Sequence, residues 1–187
     1  MAFTFAPLTS SNWNAFVDLF GDKGACGGCW CMTWRLKAAE YNKQKGEGNK
    51  MAMKGLVKKH KPVGVLAYAG NKAVGWCAVA NRSDYARLET SRILKQVDEQ
   101  PVWCISCFFI QKDYRYKGLS KLLLKSAIEF AFSKGAKIVE AYPIEAKNGK
   151  LPDVFAWTGF STVFIGAGFK EVERRSETRP IMRYYKN

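Results

Sequence analysis

Residues 115–120 read Arg-Tyr-Lys-Gly-Leu-Ser, a basic turn with one glycine placed directly ahead of an apolar-periodic run. Such a turn, opening a helix, presents backbone N–H groups that have no intrahelical acceptor, at the positive end of the helix dipole. Lys112, Arg115, Lys117 and Lys121 add positive charge around it. Gly118 lets an anion approach the backbone closely, with no need for a side-chain base to hold it. The chemistry implied is anion capture, and we read the turn as the seat of a coenzyme's phosphates.

The neighbouring elements suit that task. Residues 102–110 are almost continuously apolar, as in a central strand covered on both faces. Beyond Gly118, the spacing of Leu119, Leu122, Leu123, Ala127, Phe130 and Ala131 predicts one buried helical stripe, closed by Gly135. Residues 137–142 read as the next strand, so the unit is strand, helix, parallel strand with a right-handed crossover.

Before it come a short strand within 2–9 and a helix capped by Ser10 or Ser11, bearing Trp13, Phe16, Val17, Leu19 and Phe20. A helix follows over 49–60, then two strands over 63–69 and 73–80 about the hairpin signal Gly70-Asn71. Residues 84–99 form a short helix or an ordered loop, 143–160 mostly loop, and 161–166 a short helix. Strands over 170–175 and 181–185 close the chain as an antiparallel pair. The fold class is α/β of the α+β kind: a mixed, mostly antiparallel sheet with a central parallel strand–helix–strand unit and flanking helices. No repeat or linker divides it, so residues 1–187 are expected to form one domain.

A hydrophobic fraction of 48% with 14% aromatic residues excludes a disordered chain. No apolar run approaches the roughly 20 residues that span a bilayer, and the first residues lack a signal-peptide pattern, so a cytoplasmic protein without membrane association is expected. The net charge of +14 favours an anionic partner, whether nucleic acid, a lipid surface or a polyanionic coenzyme, or else serves solubility. Lys50, Lys54 and Lys58 recur every four residues, with Lys61 beyond; they read either as a phosphate-tracking stripe or as a solvated face.

Cys77, Cys104 and Cys107 lie in apolar runs, where cysteine behaves as a small hydrophobe. Cys26-x-x-Cys29-x-Cys31 lacks a second pair at ligand spacing, and His60 is the sole histidine, so no metal site is expected. In the same segment Trp30 and Trp34 are four apart and would share a face on a helix. Two readings stand: Trp30, Trp34 and Arg35 wall a substrate pocket, or they plug the core beneath a loop.

The run from Ile110 to Ser120 resembles the coenzyme-binding motif R/Q-x-x-G-x-G/A of the GNAT N-acetyltransferases. Ala167-Gly-Phe-Lys-Glu-Val172 and Arg179-Pro-Ile-Met-Arg183 resemble that family's C-terminal hairpin. The likeness covers residues 63–185; residues 1–62 match by element order. Cys26-x-x-Cys29-Trp-Cys-Met-x-Trp-Arg35 is similar to a run in poorly characterised bacterial members.

The resemblance implies a GNAT-like sheet that holds acetyl-CoA between two diverging parallel strands. The pyrophosphate would sit on the N–H groups of Arg115, Tyr116, Lys117, Gly118, Leu119 and Ser120, and the pantetheine arm along the backbone of Phe108, Phe109 and Ile110. Ser120 departs from the usual Gly or Ala there. The implied activity is direct acetyl transfer to the amine of a small molecule or peptide.

That reaction needs an oxyanion donor, for which an N–H near residues 107–109 is placed, and a neutral amine. An alkyl ammonium has a pKa near about 10, so a base is sought. Tyr142 and Glu145 are the first candidates, Asp98 and Glu99 the second. Phe164 occupies the position where many members carry a tyrosine acid. Cys107 as an acyl-accepting nucleophile lacks a histidine partner. The alternative function is an RNA- or ribosome-associated protein on the same scaffold, using the lysine stripe. A homodimer is left open, and the acceptor amine is not named by the sequence.

Overall fold

A computed structural model describes residues 2–146 and 153–186. Its sheet has seven strands: β1 (Thr4–Pro7), β2 (Gly64–Ala69), β3 (Lys72–Asn81), β4 (Trp103–Ile110), β5 (Ile138–Ala141), β6 (Lys170–Arg174) and β7 (Pro180–Tyr185). They lie in the order β1-β2-β3-β4-β5-β7-β6, and every neighbouring pair is antiparallel except β4 and β5. The mixed, mostly antiparallel sheet with one central parallel pair is the architecture expected from the sequence.

Six helices accompany it among the described residues: α1 (Trp13–Phe20), α2 (Ala38–Lys43), α3 (Glu47–Lys58), α4 (Ala86–Glu89), α5 (Leu119–Ser133) and α6 (Ser161–Gly166). α5 is the crossover between β4 and β5. Its buried stripe runs Leu119, Leu123, Leu124, Ala127, Ile128 and Ala131, while Leu122 is exposed and Phe130 half-buried. The 3.6-residue period was legible, but the face is rotated toward Leu124 and Ile128 because α5 lies across β2, β3 and β4 together. Gly75 on β3 shows how close that packing is, since a Cβ there would fall 2.8 Å from Leu123 Cδ1. On the opposite face α1 and α3 cover β2 and β3 through Phe16, Phe20, Met53 and Val57 against Leu66 and Trp76.

β4 carries the feature that makes a site. Its pairing with β5 spans only Trp103, Cys104 and Ile105, opposite Val139, Glu140 and Ala141. Pairing with β3 continues to Ile110, opposite Gly75, but slips at Ala78/Val79, so that Ser106 is an extra residue on β4. A bulge bends its strand and raises the local twist. Here it falls where the β5 partner is lost, and the two parallel strands diverge beyond it. The apolar run 102–110 is therefore buried at Cys104 to Ser106 yet half-exposed from Cys107 to Ile110. It reads as a doubly covered strand because its outer half lines a cleft.

Candidate active site

The gap between the diverging strands opens into a cleft of ≈ 650 Å³. One wall is Phe108, Phe109 and Ile110 of β4, whose free edge offers backbone donors and acceptors once β5 has turned away. A second wall is Ala156, Trp157, Gly159 and Phe160, held in place by a parallel bridge between Ile144 and Phe160. Val163 and Phe164 of α6 form the floor, with Phe164 fully buried and edge-on to Phe108 at 6.0 Å. Ala25 and Cys26 reach the cleft from the N-terminal segment.

At one end lies the basic turn. Tyr114, Arg115, Tyr116, Gly118, Leu119 and Ser120 all line the cleft there. Tyr116 and Gly118 have positive φ, 59° and 76°, and Gly118 caps α5 in the left-handed conformation. The N–H groups of Lys121 and Leu122 turn back to the Gly118 carbonyl. Those of Gly118, Leu119 and Ser120, in the first helical turn, have no intrahelical acceptor. A Cβ built at Gly118 meets nothing within 4 Å, so the space over this backbone is open. Arg115 donates Nε to the Ile110 carbonyl at 3.1 Å, tying the turn to the end of β4. Lys117 is not part of the lining; its ammonium lies over the Tyr114 ring, 5.7 Å from the centroid.

The structure thus gathers Phe108, Phe109, Ile110, Arg115, Tyr116, Gly118, Leu119 and Ser120 around one cleft. A group with a polyanionic head and an apolar arm fits this place: helix-end donors at one end, then an unpaired strand edge between aromatic walls.

The acceptor-side expectations fare differently. Residues 24–28 form a single wide turn and 30–35 further turns, so Trp30 and Trp34 share no helical face. Trp30 is core, stacked on Phe20 at 5.5 Å. Arg35 is buried over the Tyr85 ring at 4.8 Å and donates to the Pro62 carbonyl at 3.3 Å. For these two the core-plug reading describes the packing. Trp34 alone touches the cleft wall, through Trp157 at 5.9 Å between ring centroids.

Neither base candidate lines the cleft. The Tyr142 hydroxyl is sealed in a buried cluster with Glu140, Arg82 and Cys104, and burial pushes its pKa well above the ordinary tyrosine value. Glu145 is clamped by Arg174 at 2.8 and 3.1 Å, and those hydrogen bonds hold its carboxyl below the usual range. A tyrosine held protonated and a carboxylate held ionised by arginine both make poor bases. Asp98 is likewise bound by Arg183. What sequence reasoning missed was the wall from Ala156 to Phe160, with Ala25 and Cys26; its only signal was a glycine-rich loop with aromatics.

The model of the acetyltransferase (GNAT) family matches residues 30–160. The chain belongs to that family.

This acetyltransferase has no match by sequence among curated proteins. Its fold is shared with the PaiA N-acetyltransferase from Thermoplasma acidophilum, solved in complex with coenzyme A. The TM-score is 0.57 and the identity 12%, over 100% of both chains. It is also shared with histone acetyltransferase HPA2 and related acetyltransferase from Corynebacterium glutamicum, with TM-score 0.57 and 14% identity over 100% of this chain and 98% of that one. A GNAT acetyltransferase from Listeria monocytogenes superposes with TM-score 0.58 at 8% identity, over 98% and 95% of the two chains. At such identities the agreement is one of fold. The enzyme class, an acetyltransferase using acetyl-CoA, follows from the family. Among the described residues no helix is long and apolar enough to cross a membrane.

Proposed function

We propose that this acetyltransferase moves the acetyl group of acetyl-CoA to the amine of a small molecule or peptide by direct attack, within the cleft between β4 and the 156–160 wall. The observation that carries the reading is the divergence at Ser106, which leaves the β4 edge from Cys107 to Ile110 unpaired with β5 and in line with the Gly118 turn.

In this reading the N–H groups of Gly118, Leu119 and Ser120 hold the pyrophosphate, and Arg115 and Tyr116 flank it. The backbone of Phe108, Phe109 and Ile110 orients the pantetheine arm as an added strand would be oriented. A β4 N–H between Cys107 and Phe109 stabilises the developing oxyanion. Phe108, Phe160 and Phe164 exclude water around the thioester, which strengthens that hydrogen bond. With Phe164 in place of a hydroxyl-bearing residue, the thiolate departs unassisted, as a thiolate can: thiols are far stronger acids than alcohols, free cysteine having a pKa of about 8.5. The acceptor enters beside Trp157, Phe160, Ala25 and Cys26, a mostly apolar mouth suited to an amine on an apolar body.

The test is a thermal melt with and without coenzyme A, followed by a thiol-release screen over amines, amino acids, polyamines and short peptides. A raised midpoint and turnover on one of these classes are expected. An unchanged midpoint at millimolar coenzyme sinks the reading. The RNA-associated alternative draws on charge alone. In the structure Lys50 and Lys54 lie over the rings of Trp30 and Trp13, at 5.1 and 6.0 Å, covering the protein's own aromatic core.

A further inference from the structure

Where β4 leaves its bulge, two sulfurs from distant parts of the chain meet. Cys31 Sγ lies 3.3 Å from Cys107 Sγ, across 76 residues, with the Cys31 thiol as donor. Each sulfur is fixed by the element that carries it. Cys107 follows Ser106 on β4 and stays paired with Ala78 of β3. Cys31 ends a turn in which Trp30 and Cys31 itself take left-handed φ values of 43° and 54°. Such backbone is strained for any residue with a side chain and persists only where the surroundings enforce it. Here the surroundings are the core: Trp30 is buried, stacked on Phe20, and its indole fills the space over Gly24. Withdrawing Cys31 from β4 would pull Trp30 out of that packing.

The two thiols differ in access. Cys31 is 5% exposed, whereas Cys107 is only half-buried, so a reagent in solution reaches Cys107 first. Contacts of the neighbouring cysteines run elsewhere: Cys29 Sγ faces the Gly24 carbonyl at 3.5 Å, and Cys104 Sγ the Tyr142 hydroxyl at 3.1 Å. A disulfide holds its sulfurs about 2 Å apart, so Cys31 and Cys107 close to that distance by a small side-chain adjustment. An accessible thiol against a buried one suits thiol–disulfide exchange, which passes through a mixed disulfide before an internal bond forms.

We propose that Cys107 and Cys31 form a disulfide-exchange site whose co-reactant is a low-molecular-weight disulfide. The Cys107 thiolate attacks one sulfur of that disulfide, and a new S–S bond forms as the old one breaks. The first thiolate leaves and takes a proton, and Cys107 carries a mixed disulfide. The Cys31 sulfur then attacks the Cys107 sulfur, and the second thiolate leaves with the Cys31 proton. Two electrons pass from the protein thiols to the small disulfide, which becomes two thiols, and one Cys31–Cys107 disulfide results. That bond fastens the turn bringing Ala25 and Cys26 into the cleft to the strand whose Phe108, Phe109 and Ile110 form its wall. The site stands whichever amine the cleft accepts.

The test treats the full-length, fully reduced protein with oxidised glutathione at mildly alkaline pH, blocks the remaining thiols by alkylation and maps peptides by mass. The expected product joins the Cys31 and Cys107 peptides, two hydrogens lighter than their sum, and dithiothreitol separates them again. Cys107 is expected to lose its free thiol at least about tenfold faster than the fully buried Cys77 and Cys104. Cys31→Ser should halt at the mixed disulfide, found as one glutathionyl group on Cys107, and Cys107→Ser should leave Cys31 reduced. Circular dichroism shows whether each variant is folded; where one is not, the cross-link mapped in the parent protein decides alone. Cys31 and Cys107 left unlinked at millimolar oxidised glutathione, or Cys31 joined instead to Cys26 or Cys29, overturns the proposal.

Discussion

Arg183 donates its Nε to Glu140 Oε2 at 2.8 Å, with both side chains buried. The other Glu140 oxygen accepts from the Tyr142 hydroxyl and, at 3.4 Å, from Arg82. Arg183 extends its terminal nitrogens to Asp98 at 2.6 and 3.0 Å. One carboxylate on β5 thus anchors two guanidiniums and joins residues 82–98 to β7. Removing one partner of such a cluster leaves uncompensated buried charge. Glu140→Gln is therefore expected to lower stability by about 3–5 kcal/mol, read from urea unfolding. A loss under about 1 kcal/mol, the scale of a surface pair, would show that water already screens the cluster.

Gly118 separates backbone strain from steric blockade. Its φ of 76° costs any other residue roughly 1–2 kcal/mol, while the space above it is open. Gly118→Ala should lower the melting temperature slightly and leave a measurable coenzyme A shift. Gly118→Glu, which sends a carboxylate into the anion seat, should abolish that shift in a protein that still folds. Equal coenzyme binding by Gly118→Glu and the parent would move the phosphate site elsewhere.

The pH dependence of transfer tests the absence of a dedicated base among the described lining residues. Their titratable groups are Cys26, Tyr114, Arg115 and Tyr116, with no carboxylate or imidazole. The acceptor then has to arrive neutral. For an alkylamine, kcat/KM should climb about tenfold per pH unit toward the amine's own pKa of about 10. A plateau beginning near pH 7, the same for amines of different pKa, would reveal an enzyme base.

Acid stability follows from the arginine-held carboxylates. Hydrogen bonds from Arg183 lower the Asp98 pKa, and those from Arg174 lower Glu145 and Glu171. A depressed folded-state pKa gives stability that is present above the unfolded value, about 4, and lost as pH falls through the folded value. Arg174→Met removes two of these pairs. Its stability deficit should be modest near about pH 7, because the pairs are largely exposed, and should shrink toward about pH 3. A deficit that stays constant over that range would assign Arg174 to packing instead.

The strand–turn–helix core of the site was legible because its signals are local. An apolar run, a basic glycine turn and a 3.6-residue stripe each arise within about a dozen residues of chain, and β4, the Gly118 cap and α5 lie where those signals put them. The exception on α5 came from packing against other elements. Leu122 fits the period but faces outward, because period fixes a stripe without fixing which neighbouring elements it meets.

Tertiary structure decided the rest. Tyr142 and Glu145 stand just past β5 in sequence, where a base is sought, but their partners Arg82 and Arg174 come from 60 and 29 residues away. Trp30 and Trp34 are four apart, yet the left-handed turns at Gly24 to Cys31 send one into the core and the other to Trp157. The same winding brings Cys31 to Cys107 across 76 residues.

By itself, then, the sequence determined the donor side: hydrogen-bonding backbone at a helix start and an apolar strand are short-range properties of residues 102–133. The acceptor wall, the sealing of the base candidates and the meeting of Cys31 with Cys107 were decided only by folding. Each depends on which distant side chain supplies the charge, donor or ring that a local pattern leaves unspecified.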